Sequence, residues 1–474
     1  MNKRSIVPLL LNSIEEINLE HLIYEVESPF ESGKALYKAQ GISIEEIKRV
    51  TENSMEAFKV WKTTSFTEKR NVLDQVASLL DARRSYFMDI LEEMGLPQWF
   101  AHVNVETGIQ ILKECAANVS MPLGTIPRSS HEDIYTAVVN EPIGPVLSIA
   151  PWNAPIILCI RAIAGPVAAG CSVVVKTSEH SPLVHMELAK LFTEAGAPSG
   201  LVNSINHRPQ DASEVTKALI RSPHIKKVTF TGSSQVGQII SKIAAEVFKP
   251  VLLELGGKSA VIVTKSADII RAADAILNAA FAHNGQICMS TERVYVENEV
   301  YDNFVDAISK CFDEFTSTQK KLPQRSSIQS KKIDSMVRNA IKNGAKMLCG
   351  RLFRDDAYIE PLVIADVSGK EDIYDNETFG PIFYINRVSD VSEAISKVNA
   401  SRYGLSTAIW SSDVLQALEV ARDLESGAVH INGKTIHDEA TLPHGGVKES
   451  GFGRFNSTWG LQEFQYTKTI TLAK

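Results

Sequence analysis

Short apolar runs alternate with helix-length segments through most of this chain, and this pattern limits its fold more than any other feature. Strands are predicted at 146–150, 172–176, 227–231 and 259–263, and helices at 154–169, 184–195 and 235–247. Apolar strands that alternate with helices predict a parallel sheet with right-handed crossovers, which binds nucleotides at the carboxyl ends of its strands. The chain is therefore predicted to be of the α/β class.

A second alternating region follows, and a helical region precedes the first. The second region predicts helices near 269–283, 300–316, 327–344 and 413–425, and strands near 293–297, 360–364, 383–387 and 428–432. Residues 44–120 show helical spacing, whereas 133–141 and 464–472 alternate like strands, the latter like an edge strand. A chain of 474 residues is too long for one ordinary core, so two or three domains are expected.

Charge and composition exclude several classes of partner. The formal net charge of −7 and the isoelectric point near 5.9 argue against nucleic acid or an acidic membrane as a partner. The N-terminus lacks a signal-peptide pattern, and the most apolar segment, 156–175, is interrupted by Arg161, so a cytoplasmic protein is expected. The six cysteines include no CxxC pair, and the polar loop His437–Glu439 has no ligand spacing, so no metal is expected.

Three separated strings contain side chains suited to covalent catalysis. Cys288 stands in Gly-Gln-Ile-Cys, Glu254 in Leu-Glu-Leu-Gly-Gly-Lys, and Asn153 in Ala-Pro-Trp-Asn-Ala-Pro. A thiolate can attack a carbonyl carbon, and a carboxylate can then activate water. Two further strings, which contain Lys176 with Glu179 and Gly232 with Gly237, suggest a nucleotide site at the ends of strands.

In this order and spacing the strings resemble those of the aldehyde dehydrogenase superfamily, from about Glu141 to the C-terminus. The resemblance implies a Rossmann-like NAD-binding domain (1–123 and 143–255), an α/β catalytic domain (256–455) and a small β oligomerisation element (124–142 and 456–474). It also implies a homodimer or homotetramer. The implied reaction is the NAD-dependent oxidation of an aldehyde to a carboxylic acid through a cysteine thiohemiacetal and a thioester.

The resemblance also assigns the catalytic roles. Cys288 is the nucleophile, Asn153 and the backbone N–H of Cys288 hold the negative oxygen, and Glu254 activates the water that cleaves the thioester. Burial of Glu254 is expected to raise its pKa towards neutrality, as a general base requires. Two alternatives remain open at this point: Asn153 caps the helix expected to start at Ala154, or Glu254 is a surface residue after a strand.

The cofactor residues follow from the same resemblance. Lys176 and Glu179 hold the adenine ribose, and NAD is expected in preference to NADP because the Glu179 carboxylate repels a 2′-phosphate. Glu377 binds the nicotinamide ribose and Phe379 flanks the ring. The expected site is completed by Ile149, Trp152, Gly232, Ser233, Gly237 and Leu255.

The strings around Asn153, Cys288 and the polar loop resemble the branch of this family that oxidises aromatic aldehydes such as salicylaldehyde, benzaldehyde and vanillin. Ala154 leaves room for a flat ring, and Arg161 either binds a ring hydroxyl or forms a structural ion pair. The expected substrate pocket consists of Trp99, Ala154, Ile157, Arg161, Ile287, Met289 and His444, with Trp99 alternatively a core residue. Relatives usually carry phenylalanine in place of His444, so this pocket is expected to be more polar.

Two other classes of function compete with this interpretation. A thiol acyltransferase or thioesterase could use Cys288, Glu254 and Asn153 without a nicotinamide, but it leaves Lys176 and Glu179 unexplained. A non-enzymatic binding protein that kept the fold usually loses the nucleophile, the base or the amide, whereas this chain keeps all three. Tight NAD binding would separate the dehydrogenase from the first alternative.

Overall fold

The computed structural model describes residues 6–318 and 321–474, so the first residues of the predicted segment 1–123 and of the N-terminus lie outside the described residues. Within the described ranges, eight strands form the first sheet, and the inner ones run parallel as predicted. In spatial order they are Gly451–Phe452, Val251–Glu254, Lys227–Thr231, Val146–Ile149, Val173–Lys176, Val202–Ile205, Leu9–Leu11 and Ile14–Glu16.

The strand order of this sheet reverses beside Val146–Ile149. The chain continues from this strand to Val173–Lys176 on one side, and later returns to Lys227–Thr231 on the other. A ligand crevice is expected outside the carboxyl ends of the strands at such a switch point. Helices at Pro155–Ala169, Pro182–Glu194, Ala212–Arg221 and Ser234–Glu246 connect these strands, after an N-terminal helical region of Ile44–Trp61, Phe66–Ala82, Arg84–Glu93 and Gln98–Asn118.

The helix Pro155–Ala169 is buried along its whole length, in agreement with its continuous apolar sequence. It begins one residue later than predicted because Ala154 is its N-cap, and proline is well suited to the first helical position. It ends at Gly170, whose φ of 97° lies in the left-handed region that favours glycine. This helix leads away from the switch point, so its first turns face the crevice.

In the described part of the chain, seven strands form the second sheet, which lies in the predicted second alternating region. In order they are Lys346–Gly350, Leu362–Ala365, Ile382–Val388, Thr291–Glu297, Ser259–Val263, Ser406–Trp410 and Ala428–Ile431. Its helices are Ile269–Phe281, Tyr301–Thr318, Ser327–Lys342, Val391–Asn399 and Val414–Asp423. Together the two sheets confirm the α/β class.

A small sheet joins the chain's last strand to earlier segments. Gln465–Ala473 pairs antiparallel with Ile134–Pro142, which also pairs with Gly124–Thr125, so the tail is an edge strand as predicted. The remaining elements are the strands Ile6–Val7, Ile23–Glu27, Ala35–Gln40, Arg354–Asp355, Tyr358–Ile359, Tyr403–Gly404 and Val447–Lys448, the 3-10 helices Glu20–Leu22, Pro209–Asp211 and Ala282–Gly285, and the helix Ser457–Gln462. None of the helices formed by the described residues is both long and apolar enough to cross a membrane.

Candidate active site

Cys288 lies in a tight turn just before the strand Thr291–Glu297. His283, Asn284 and Gly285 precede it with φ values of 46°, 57° and 72°, all in the left-handed region. A Cβ on Gly285 would lie 2.1 Å from the carbonyl oxygen of Gly380, so only glycine fits there. The Asn-Gly sequence before the nucleophile is therefore explained by the backbone path.

Side-chain and backbone contacts hold this turn in place. The Gln286 side chain donates to the His283 carbonyl at 3.1 Å and accepts from the backbone N–H of Arg325 at 2.8 Å. A Cβ on Gly257 would lie 2.5 Å from the Cys288 carbonyl oxygen. The glycines after Glu254 thus allow the nucleophile turn to pack directly against that segment.

Glu254 ends the strand Val251–Glu254 and is almost completely buried. The Cys288 thiol donates a hydrogen bond to Glu254 Oε1 over 3.1 Å. Burial, together with the negative charge of Glu254, raises the pKa of Cys288 well above its ordinary value. The resting nucleophile is therefore a protonated thiol whose proton already points at the candidate base.

The predicted rise in the pKa of Glu254 is wrong. Burial does raise this pKa, but the hydrogen bond and charge of His444, the charge of Arg161 and the thiol of Cys288 together outweigh burial and hold it below its ordinary value. His444 Nε2 lies 3.5 Å from Glu254 Oε1, and Arg161 Nη1 lies 3.9 Å from Oε2. Glu254 is thus a buried carboxylate that stays ionised, and the alternative of a surface residue is contradicted.

Asp438, which is partly buried, completes a cluster of four charged groups. It forms an ion pair with Arg161, and its Oδ1 lies 3.5 Å from His444 Nδ1. Burial and the charge of Arg161 lower the pKa of His444, but the contacts with Asp438 and Glu254 have the larger effect and raise it to about 9. At neutral pH the two cations Arg161 and His444 therefore balance the two carboxylates.

Asn153 presents its amide in the crevice at the switch point. Its Nδ2 donates to the carbonyl oxygen of Gln286 over 3.0 Å, which ties it to the nucleophile turn. The helix that follows begins at Pro155 with Ala154 as N-cap, and among the described residues no side chain caps it. The capping alternative for Asn153 is therefore contradicted.

A cavity of about 340 Å³ lies on one side of Cys288. It is lined by all three predicted catalytic residues, Asn153, Glu254 and Cys288, and by all seven predicted pocket residues, Trp99, Ala154, Ile157, Arg161, Ile287, Met289 and His444. Trp99 is 48% exposed, which contradicts its alternative placement in the core. The roles of these residues in substrate binding stay predictions.

Sequence reasoning missed several walls of this cavity, namely Phe100, Val103, Thr107, Leu158, Lys434, Ile436, His437 and Asp438. From the sequence, the loop with His437 and Asp438 is interpreted as a polar loop and as part of the resemblance to the aromatic branch, without a place in the pocket. A signal for Asp438 did exist, because Arg161 is the only charge in an otherwise apolar helix and a buried charge needs a partner. Arg161 indeed forms the ion pair that was weighed against ring binding.

A second cavity of about 330 Å³ lies on the other side of Cys288. Six of the predicted cofactor residues line it, namely Trp152, Gly232, Ser233, Leu255, Glu377 and Phe379. The lining residues that were not predicted include Pro151, His180, Thr231, Gly256, Arg325, Ser326, Gln329 and Lys332. Asn153, Leu158, Glu254 and Cys288 line both cavities. Cys288 is thus accessible from two separate spaces.

The other predicted cofactor residues, Ile149, Lys176, Glu179 and Gly237, lie outside the lining of this cavity. Ile149 and Lys176 are register partners at the carboxyl ends of adjacent strands, and Glu179 follows three residues later. Burial lowers the pKa of Lys176 to about 8, and its Nζ lies 2.7 Å from His207 Nε2. A Cβ on Gly237 would lie 2.6 Å from Leu255, so this glycine lets its helix pack closely rather than contacting the cavity.

The residues around the second cavity fit a nicotinamide dinucleotide. Gly232 and Ser233 lie at the N-terminus of the helix Ser234–Glu246, where free N–H groups bind phosphate. A Cβ on Gly256 would lie 2.4 Å from Glu377 Oε2, and Glu377 Oε1 accepts from the Gly257 N–H at 3.1 Å. This places a carboxyl group, whose pKa burial raises to about 8, beside the cavity that reaches Cys288, where it could bind ribose hydroxyls.

Comparisons with known proteins agree with this geometry. A profile of the aldehyde dehydrogenase family matches residues 18–470, further towards the N-terminus than the motifs indicated. The chain is 35% identical to a salicylaldehyde dehydrogenase of Pseudomonas putida over 93% of each chain, and 33% identical to a vanillin dehydrogenase of Pseudomonas fluorescens over 98% of each. A crystal structure of salicylaldehyde dehydrogenase from Pseudomonas putida G7, complexed with salicylaldehyde, superimposes with a TM-score of 0.95 at 33% identity over 99% of each chain.

A match to the family profile over almost the whole chain, and relatives above 30% identity over nearly its full length, establish the family. Enzymes of this family oxidise aldehydes with NAD or NADP. The resemblance inferred from the separated sequence strings is thereby confirmed, as is the fold that it implied. The chain is a member of the aldehyde dehydrogenase family.

Proposed function

We propose that this aldehyde dehydrogenase oxidises an aromatic aldehyde to its carboxylic acid with NAD, through a thioester on Cys288. The observation that carries the proposal is the meeting of two cavities at this thiol. One has apolar walls suited to a ring, and the other has the groups suited to a dinucleotide. A cofactor-independent thiol acyltransferase leaves the second cavity without a use, and family membership argues against a non-enzymatic binding protein.

The first half-reaction begins with the thiol proton. Glu254 Oε1 already accepts a hydrogen bond from Cys288 Sγ and takes the proton as sulfur attacks the aldehyde carbon. The carbonyl π electrons move to oxygen, and Asn153 Nδ2 with the Cys288 N–H stabilises the resulting charge. When bound, the nicotinamide supplies an acceptor for the hydride, and Cys288 is left carrying an acyl group as a thioester.

The second half-reaction needs an ionised Glu254. Once its proton has left, Glu254 takes a proton from a water molecule, whose oxygen attacks the thioester carbon. The carbon–sulfur bond then breaks, the acid departs, and the thiolate of Cys288 is reprotonated. The lowered pKa of Glu254 keeps the carboxylate ionised when water reaches it, although it also makes the carboxylate a weaker proton acceptor.

Preference for NAD over NADP rests on Glu179. Burial raises the pKa of this carboxyl, but the charges of His180 and Lys176 and a backbone hydrogen bond have the larger effect and lower it below its ordinary value. The carboxyl is therefore ionised at neutral pH. A 2′-phosphate bound beside Lys176 would meet this negative charge. The repulsion would be worth about one to a few kcal/mol.

The aromatic substrate is supported by the walls of the first cavity. Ile157, Ile287 and Met289 offer apolar faces to a flat ring, and Ala154 beside Asn153 keeps the entrance to the thiol open. Relatives named as salicylaldehyde and vanillin dehydrogenases align with this chain over 93% and 98% of each sequence. Arg161 lines the cavity but is held by Asp438 and Asn456, so a ring hydroxyl would approach its Nη1 side.

The test is NADH formation across aromatic and aliphatic aldehydes at matched concentrations. Benzaldehyde-like substrates should give the highest kcat/KM, and a preference for short aliphatic aldehydes would contradict the aromatic assignment. Cys288→Ala should abolish NADH formation while NAD still binds. Arg161→Met should lower kcat/KM for salicylaldehyde more than for benzaldehyde. An equal loss of kcat/KM for both substrates would indicate that Arg161 serves only to form the ion pair with Asp438.

A homo-oligomer is proposed from the small sheet. Its edge strand Gln465–Ala473 and its neighbours expose several large apolar side chains, namely Leu123, Ile126, Tyr135, Ile470 and Leu472. Exposed apolar residues clustered on one small element commonly mark a protein interface. Sedimentation should give a dimer or tetramer, and Leu472→Asp with Ile470→Asp should reduce its size.

A further inference from the structure

His444 belongs to the charged cluster around Glu254, and the reaction proposed above does not use it. It lies between two carboxylates, with Nε2 3.5 Å from Glu254 Oε1 and Nδ1 3.5 Å from Asp438 Oδ1. Both ring nitrogens must carry protons if each is to donate to its carboxylate. A neutral imidazole would turn a lone pair towards one of the two negative charges.

Resting on the proposed roles of Cys288 and Glu254, we propose that His444 is a positioning residue for the general base. As an imidazolium it bridges Glu254 and Asp438, and thereby keeps Glu254 ionised and directed at the Cys288 thiol. It does not touch the reacting atoms and acts only through Glu254. The chain needs this device because Glu254 is buried, and a buried carboxylate without a cation would hold its proton.

The surroundings of His444 determine over which pH range it stays charged. The ionisable groups that face it are Arg161 from the buried helix, Glu254 from its strand, Cys288 from the nucleophile turn, and His430, His437, Asp438 and Glu439. Arg161 opposes the charge on His444, and the two carboxylates favour it more strongly. Burial and the nearby His437 lower the pKa of His430 to about 4, so this neighbour is neutral when His444 titrates.

Phenylalanine at position 444 could not supply the positive charge that His444 contributes to the cluster. With phenylalanine in place of His444, the cluster would hold Arg161 against two carboxylates, and Arg161 is already bound to Asp438 and Asn456. Of its charged partners, Glu254 would keep only the distant contact of 3.9 Å to Arg161. Its pKa should therefore rise, and the orientation of its carboxylate would depend on the Cys288 thiol and Arg161 alone.

The experiment separates acylation from deacylation and needs no cofactor. 4-Nitrophenyl acetate acetylates a thiol directly: the carbon–sulfur bond forms, nitrophenolate leaves, and the thioester must then be hydrolysed by water. The burst of nitrophenol, read at its isosbestic wavelength, reports acylation, and mass spectrometry of the acetylated enzyme reports the rate of deacylation. Both are measured from pH 5 to 10 for the parent, His444→Phe, His444→Gln and Asp438→Asn, with His21→Phe on the surface as a matched control.

The parent should deacylate at a constant rate between an acid limb set by Glu254 and an alkaline limb near the His444 pKa of about 9. In His444→Phe the acid limb should move up by about one pH unit or more, and the alkaline limb should vanish. Asp438→Asn should move the alkaline limb to lower pH, because His444 loses one of its two carboxylates. In His444→Phe, the KM for aldehydes should change little while kcat falls.

The proposal would be overturned if both limbs of the pH profile of His444→Phe stayed at their parental pH values and only the deacylation rate fell uniformly. His444→Gln should reproduce the loss of the alkaline limb, and it replaces the phenylalanine variant if that variant fails to bind NAD or to unfold cooperatively. Glu254→Gln distinguishes the two levels of inference. If it deacylates normally, the proposed function of Glu254 fails; if it does not deacylate but His444→Phe keeps the parental limbs, only the role of His444 fails.

Discussion

Replacing Glu254 with glutamine should separate the reactivity of the thiol from the turnover of the enzyme. In the parent, burial, the charge of Glu254 and its hydrogen bond raise the pKa of Cys288, whereas Arg161 lowers it. Glutamine removes the negative charge but leaves Arg161 in place. The pKa of Cys288 should therefore fall in Glu254→Gln, and the thiol should react faster with an added electrophile at neutral pH.

Turnover should fall sharply in the same variant. A general base typically contributes about 10²- to 10⁴-fold, which corresponds to about 2.7–5.4 kcal/mol of activation free energy. The acyl group should transfer to Cys288 as a burst, because the thiol can release its proton to solvent, but the thioester should persist. The fold should survive, since His444 can lose its proton once one of its two carboxylates is gone.

The assay combines alkylation by iodoacetamide with transient NADH formation. Cys311, which lies on the helix Tyr301–Thr318, serves as an internal control because it is partly exposed and does not line either cavity. Peptide mass spectrometry gives the alkylation rate at each cysteine. The rate at Cys288 should rise in Glu254→Gln relative to the parent, while the rate at Cys311 should stay the same.

Two results would refute this reasoning in different ways. Slower alkylation of Cys288 together with loss of the NADH burst would show that the thiol depends on Glu254 for its activation. Steady turnover at the parental rate would remove Glu254 from catalysis altogether. A rise in alkylation at both cysteines would indicate partial unfolding rather than an electrostatic effect.

Two further substitutions test the oxyanion and cofactor sites. Asn153→Ala should lower kcat by about 10²- to 10³-fold, or about 2.7–4 kcal/mol, with NAD binding unchanged, and a loss below tenfold would leave the Cys288 N–H as the main donor. Glu179→Gln should raise kcat/KM with NADP relative to NAD by about tenfold or more, and equal use of the two cofactors by the parent would contradict the role of this carboxylate.

The residues of the site that could be predicted from the sequence lie in short local motifs. Cys288, Glu254 and Asn153 each sit in a short segment whose glycines or prolines are required by the backbone, as the close contact of Gly257 with the Cys288 carbonyl shows. Arg161 pairs with Asp438, which is far away in the chain. The single charge in an apolar helix indicates that Arg161 has a partner, but no local pattern identifies Asp438 as that partner. The pKa of Glu254 was mispredicted for this reason, because burial was foreseen but the facing cations were not.

The predicted strands show the same contrast between features that the local sequence indicates and features that depend on distant contacts. Continuous apolar runs such as Val173–Lys176 were recognised as strands, whereas the buried strand Val202–Ile205 was missed because Asn203 and Ser204 interrupt its apolar run. Asn203 is accommodated by accepting from the Asn12 N–H at 2.8 Å and donating to the Gly200 carbonyl at 2.9 Å. Those partners come from tertiary structure, so a polar residue in a buried strand has no signature in its own segment.

A double-mutant cycle between His444 and Asp438 tests whether charge balance explains the unusual histidine. Alone, His444→Phe leaves Arg161 with two carboxylates, whereas the double variant with Asp438→Asn leaves only Arg161 and Glu254, which again balance. The double variant should therefore be more stable than the sum of the single losses predicts, with a coupling of about 0.5–3 kcal/mol in the free energy of unfolding.

This coupling should depend on pH in one direction. The pKa of His444 is about 9 in the folded chain and 6.5 as a free side chain, so its stabilising effect is complete below about 6.5 and is lost as the pH rises through 9. Denaturant unfolding at pH 6 and pH 10 measures the cycle under both conditions. A coupling of the same size at both pH values would mean that His444 acts by its shape, and the charge-balance explanation would fail.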